Sequence, residues 1–161
     1  MARHSPEAVA NKFLDLADER GVFLTPMQLH KLVYIAHGWS LALTDKGLVS
    51  EPPQAWKWGP VYPSLYNNTK RYGSGPVFER ICHNNWALLD RIKGAVVEGR
   101  FDSVENGVIE KVFDEYGDLE AFQLSALTHN EGTPWSQVFD GSLGKDISNS
   151  LIKNHFLQLA E

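Results

Sequence analysis

Apolar and polar positions alternate with a helical period along most of this chain. Ser5 precedes Pro6, and apolar residues follow at Val9, Ala10, Phe13, Leu14 and Ala17 before Gly21. A serine cap, a proline in the first turn and a terminal glycine frame an amphipathic first helix. The second helix is marked more strongly. Thr25 caps, Pro26 opens and Gln28 completes a capping box, while Leu29, Leu32, Val33 and Ala36 form one apolar stripe that predicts a helix to about Ala42.

The period then breaks. Between Leu48 and Val61 stand Pro52, Pro53, the run Ala55 to Trp58, and the turn-forming pair Gly59 and Pro60. This pattern predicts a short extended segment or β-hairpin. Pro63 opens a short helix through Asn67 that ends before the Gly73–Pro76 loop, and Trp86–Ile92 reads weakly as helix before Gly94. Further on, Ser103 is the expected cap of a helix lined by Val104, Val108, Ile109, Val112, Phe113 and Tyr116, with Gly117 as a left-handed terminator. Asp118 is the expected cap of a segment carrying Leu119, Phe122, Leu124 and Leu127. Thr133 and Pro134 begin a short turn holding Trp135, and Ser148 begins a last amphipathic helix with Leu151, Ile152, Phe156 and Leu159. The expected architecture is mainly α, a single compact helical domain over residues 1–161 with one short extended segment or hairpin around 48–61. No internal repeat or linker-like stretch divides it.

Composition narrows the classes. A chain of 161 residues, 43% hydrophobic and 22% charged, is ordinary for a globular domain and needs no metal or disulfide to fold. Its only cysteine, Cys82, has no intramolecular disulfide partner, and charges at Arg3 and Glu7 interrupt any signal-peptide core, so a cytoplasmic protein is expected. Apolar stretches such as Leu32–Ala36 fall far short of the roughly 20 residues that span a bilayer. The net charge of −5 opposes approach to a phosphate backbone.

Few residues suggest catalysis or metal binding. Cys82 and His83 are adjacent, yet neighbours in sequence point in different directions, and a catalytic dyad needs spatial adjacency and an orienting group. The simpler reading is a half-buried thiol beside a surface histidine. His30 and His37 lie on one helix face but about 10 Å apart along its axis, too far for one ion. The run His129–Trp135 leads into a helix start that could hold an anion, although capping by Thr133 accounts for the same residues. The Gly73–Pro76 loop lacks the lysine of a phosphate-cradling motif. No catalytic residue, metal ligand or cofactor is therefore assigned.

The aromatic residues are more informative. Trp56, Trp58, Tyr62 and Tyr66 cluster around one turn, and large amphipathic aromatics anchor protein interfaces. In an extended segment Trp56 and Trp58 would share a face, which favours core packing for that pair. All four nonetheless stand as candidate protein-binding residues.

The stretch Leu24–Trp39, then Glu51 and Pro52, Ala55–Val61, Tyr62–Tyr66, the His129–Trp135 run and the final amphipathic helix together resemble the Panacea-type, SocA-like antitoxin domain family. The resemblance implies a non-enzymatic, mostly helical module carried on mobile elements and prophages. Such a module neutralises a co-encoded toxin by direct contact, and it can act as an adaptor that delivers the toxin to a ClpXP-type protease. Two alternatives remain open from the residues themselves: a small hydrolase using Cys82 with a histidine, and a regulator contacting nucleic acid through Lys57, Lys70 and Arg71.

Overall fold

The computed structural model describes residues 4–83 and 94–161. In chain order the described elements are α1 (Pro6–Arg20), α2 (Pro26–Thr44), β1 (Gln54–Trp56), β2 (Gly59–Val61), α3 (Pro63–Thr69) with a 3₁₀ turn at Lys70–Tyr72, α4 (Ser103–Tyr116), α5 (Ala121–His129), α6 (Pro134–Val138), β3 (Lys145–Asp146) and α7 (Asn149–Leu159). The protein is mainly α with a small antiparallel sheet, as the periodicity predicts. The expected helix at Trp86–Ile92 lies outside the described residues.

Local chemistry sets most helix starts. The side chains of Ser5, Thr25, Thr133 and Ser148 each accept a backbone N–H of the first turn, and Thr25 with Gln28 forms the full capping box. Three expectations need correction. The cap of α4 is Asp102, one residue before Ser103, because Asp102 and Glu105 form a reciprocal box. The cap of α5 is Glu120 rather than Asp118, boxed with Gln123. Gly117 is right-handed at φ −65°, so it does not terminate α4 in the left-handed manner expected.

Helix α2 is the axis of the fold. It packs against α1, α3, α4, α5, α7 and β2, and every residue from Leu29 to Gly38 is buried. The single stripe expected from the sequence is therefore only part of its apolar surface, and α2 behaves as a helix enclosed on all sides. Phe13 of α1, Ile109 of α4, Leu124 of α5 and Phe156 of α7 close around it. Gly38 lets α7 approach: a Cβ there would fall 2.1 Å from the Phe156 ring.

The sheet has the order β2-β1-β3. In the hairpin, Ala55 faces Pro60 and Trp56 faces Gly59, leaving Lys57 and Trp58 as the turn. The third strand, which the sequence pattern does not signal, pairs Asp146 with Gln54 and Lys145 with Ala55.

Candidate functional site

The hairpin tip combines a firmly held backbone with exposed aromatic side chains. Three alternate carbonyls point into the protein, and each is taken by a side chain from a different helix. Trp135 of α6 donates its indole N–H to Trp56 O. Ser125 of α5 donates its hydroxyl to Trp58 O at 3.3 Å. Lys31 of α2 donates from Nζ to Pro60 O at 3.0 Å. The three acceptors belong in turn to β1, to the turn and to β2, so both arms and the tip of the hairpin are held.

Lys31 is the least expected member. Its side chain is 2% exposed, with no carboxylate within ion-pair distance among the described residues. Loss of hydration on burial lowers its pKa from 10.5 to about 7. Gly59 fits against it, since a Cβ at Gly59 would lie 2.6 Å from Nζ, and its φ of +120° is one that side-chain-bearing residues rarely adopt. Burial, followed by the nearness of Lys31, brings the adjacent His30 down to about 3. The Tyr34 and Tyr62 hydroxyls are buried with no hydrogen-bond partner among the described residues, and burial raises the pKa of both.

Around this anchored backbone the four candidate aromatics occupy different environments. Trp58 is 64% exposed, with Lys57 Nζ 5.0 Å from its ring centroid. Trp56 is half-buried and meets Tyr66 edge to face at 5.0 Å, and Tyr66 is 41% exposed. Tyr62 is fully buried and occupies the N-cap position of α3. The shared inward face expected for Trp56 and Trp58 is not formed, because β1 ends at Trp56 and Trp58 lies in the turn. Phe122, one helical turn before Ser125, is 67% exposed.

The other candidates serve the structure in identifiable ways. Thr133 caps α6 by accepting from Ser136 N at 3.3 Å, so the His129–Trp135 run follows the capping reading. His129 lies 3.1 Å from Ser125 Oγ and packs edge to face on Trp135, which itself stacks on Phe139. His37 accepts the N–H groups of Leu48 and Val49 at Nδ1, both at 3.1 Å, and bonds Asn149 Oδ1 through Nε2 at 2.9 Å. It therefore joins α2, the segment before β1, and α7. The Cys82 sulfur contacts the Arg80 carbonyl at 3.7 Å, and His83 is exposed beside it. Arg71 is engaged by Glu79 and the Tyr72 hydroxyl. Among the described residues no cluster of three or more His, Cys, Asp or Glu side chains could hold a metal ion, and no helix is long and apolar enough to cross a membrane.

Sequence reasoning finds the aromatic cluster but misses Lys31, Ser125 and Trp135 as its anchors. One signal is present: the pair His30 and Lys31 stands between Leu29 and the apolar run Leu32–Ala36.

Comparison with known proteins converges on one family. The family model described as Antitoxin SocA-like, Panacea domain matches residues 29–136, which span α2 through the middle of α6. Antitoxin SocA of Caulobacter vibrioides (strain NA1000 / CB15N) is 32% identical over 154 residues, covering 92% of this chain and 80% of that protein. No solved structure matches.

Proposed function

Because the chain belongs to the SocA-like, Panacea-domain family of antitoxins, we propose that it neutralises a partner toxin by direct, non-enzymatic binding through the hairpin tip. The observation that carries this reading is the exposed Trp58 on a backbone held by Trp135, Ser125 and Lys31. A rigid presenting surface loses little conformational entropy on association, so the contact energy of a large aromatic is retained as affinity. Trp58 and Tyr66 supply the accessible anchors, Trp56 packs against Tyr66, and Tyr62 is buried at the start of α3.

The test is co-expression with the product of the adjacent reading frame, followed by affinity purification and a growth assay. A stable complex with restored growth is expected. Replacing Trp58 with Ala is expected to weaken the complex by roughly tenfold to a hundredfold, the range of a central aromatic anchor, without lowering the melting temperature. Absence of a complex and of growth rescue would remove the reading. Toxin half-life measured with and without this protein separates occlusion from delivery to a ClpXP-type protease.

A further inference from the structure

The three side chains that hold the hairpin differ in one respect. The Trp135 indole and the Ser125 hydroxyl do not titrate near neutral pH, whereas Lys31 Nζ, which donates to Pro60 O at 3.0 Å, can carry a charge. Nζ is pressed against the arm it holds: a Cβ at Gly59 would lie 2.6 Å from it, and Thr128 Oγ1 of α5 lies 3.6 Å from that same point. Pro60 O is its hydrogen-bond partner, and no second acceptor and no carboxylate reaches it among the described residues. An uncharged amine has two N–H groups, but an ammonium has three and a full charge, which one buried carbonyl does not compensate. The titratable groups on the surrounding elements are His30 and Tyr34 on α2, Lys57 in the turn, Tyr62 and Tyr66 on α3 and its cap, and His129 on α5. None of them is a carboxylate.

From this geometry we propose that Lys31 is a proton-operated latch: proton uptake at Nζ drives release of the β2 arm of the hairpin from α2, while the holds on Trp56 O and Trp58 O persist. Release carries Nζ into water, where the ammonium is hydrated and its pKa is the ordinary 10.5, against about 7 in the held state, where burial strips that hydration. The released form therefore binds the proton more tightly. Lowering the pH between those two values moves the balance toward release by up to about tenfold per unit, and below about pH 7 both forms are protonated and the balance stops changing. This deepens the toxin-binding reading and rests on it for one consequence only: a partner seated on the held tip opposes proton uptake, so the complex weakens by at most about tenfold between pH 8 and pH 6.

The test can be run without the toxin, on the full chain by NMR. Amide exchange is measured between pH 6 and pH 8.5, corrected for the pH dependence of the intrinsic rate, while the Lys31 Cε signal reports the charge on Nζ. Protection of the Gly59 and Val61 amides is expected to rise roughly twentyfold from pH 6.5 to pH 8.5 and to level off below that range. Amides of α4, on another side of α2, are expected to keep a protection that does not follow the Lys31 signal. In the Lys31→Met variant the Gly59 and Val61 amides are expected to lose the pH dependence, whatever their absolute protection. The same slope at every amide of the chain would mean that Nζ reaches water only when the whole fold opens, and would overturn the latch. Protection at Gly59 and Val61 that ignores pH, or a slope that survives in Lys31→Met, would overturn it as well. Failure of growth rescue with a retained local slope would remove the toxin reading and leave the latch standing. Rescue with no local slope would do the reverse.

Discussion

Lys31 and Gly59 fit one another as a pair, and each makes a prediction about the other. Replacing Gly59 with Ala sets a Cβ against Nζ and forces a φ of +120° on a residue that avoids it, so a loss of about 1–3 kcal/mol is expected in urea unfolding. Lys31 also gives stability a defined pH dependence. Its pKa is 10.5 in the unfolded chain and about 7 in the fold, so its contribution is complete above the unfolded value and is lost as pH falls toward 7. The protein is expected to be more stable near pH 9 than at pH 7, with a slope of at most about 1.4 kcal/mol per pH unit. The Lys31→Met variant is expected to lack that slope, whatever its absolute stability. Above about pH 10 the trend reverses, because burial holds Tyr34 and Tyr62 protonated in the fold while they ionise in the unfolded chain. A second decline is expected on the acid side. Burial depresses both His30 and His37 below 6.5, so stability present above that pH is withdrawn as it falls. Little of this is legible in the sequence, where Lys31 is one of two adjacent polar residues in a helix rich in apolar ones and its partner, a carbonyl of strand β2, leaves no signature.

At the scale of elements, starts are easier to read than ends. Caps at Ser5, Thr25, Thr133 and Ser148 depend on residues within one turn, and the structure places them as expected. Asp102 and Glu120 displace Ser103 and Asp118 because a box with Glu105 or Gln123 satisfies more backbone groups than a lone hydroxyl or carboxylate. Strand β3 is invisible in the sequence, since two residues paired through backbone to a strand far back in the chain create no periodicity. The packing of α2 on α7 depends on Gly38, and Gly38→Ala is expected to cost about 1–3 kcal/mol by driving a methyl group into Phe156. A smaller side chain at Phe156 should recover part of that loss in a double-mutant cycle. Trp135→Phe keeps an aromatic ring beside Phe139 and His129 but removes the donor to Trp56 O. Faster amide exchange across Gln54–Val61 is expected, with a global cost of roughly 1 kcal/mol.

Across the whole molecule, the buried core and the exposed aromatics fall on different residues. The core surrounds α2, whereas Trp58, Tyr66 and Phe122 stand outside it. The mainly α architecture and the aromatic cluster can both be read from the sequence, the first from period and the second from composition around one turn. Which aromatics face solvent cannot, because that depends on α5 and α6 returning to grip the hairpin from behind. Alternation alone groups Trp58 with Trp56, but the strand stops at Trp56 and the turn carries Trp58 away from it.

The hydrogen bonds by which Trp135, Ser125 and Lys31 hold the hairpin are all made to main-chain oxygens, at residues 56, 58 and 60. Main-chain oxygens are the same whatever side chain a residue carries, so the support beneath the turn does not depend on the identities at 57 and 58. The tip is thus an exchangeable fitting on a fixed mount. Under the proposed function, substitutions at those two positions are expected to change partner preference while the geometry that presents them stays unchanged.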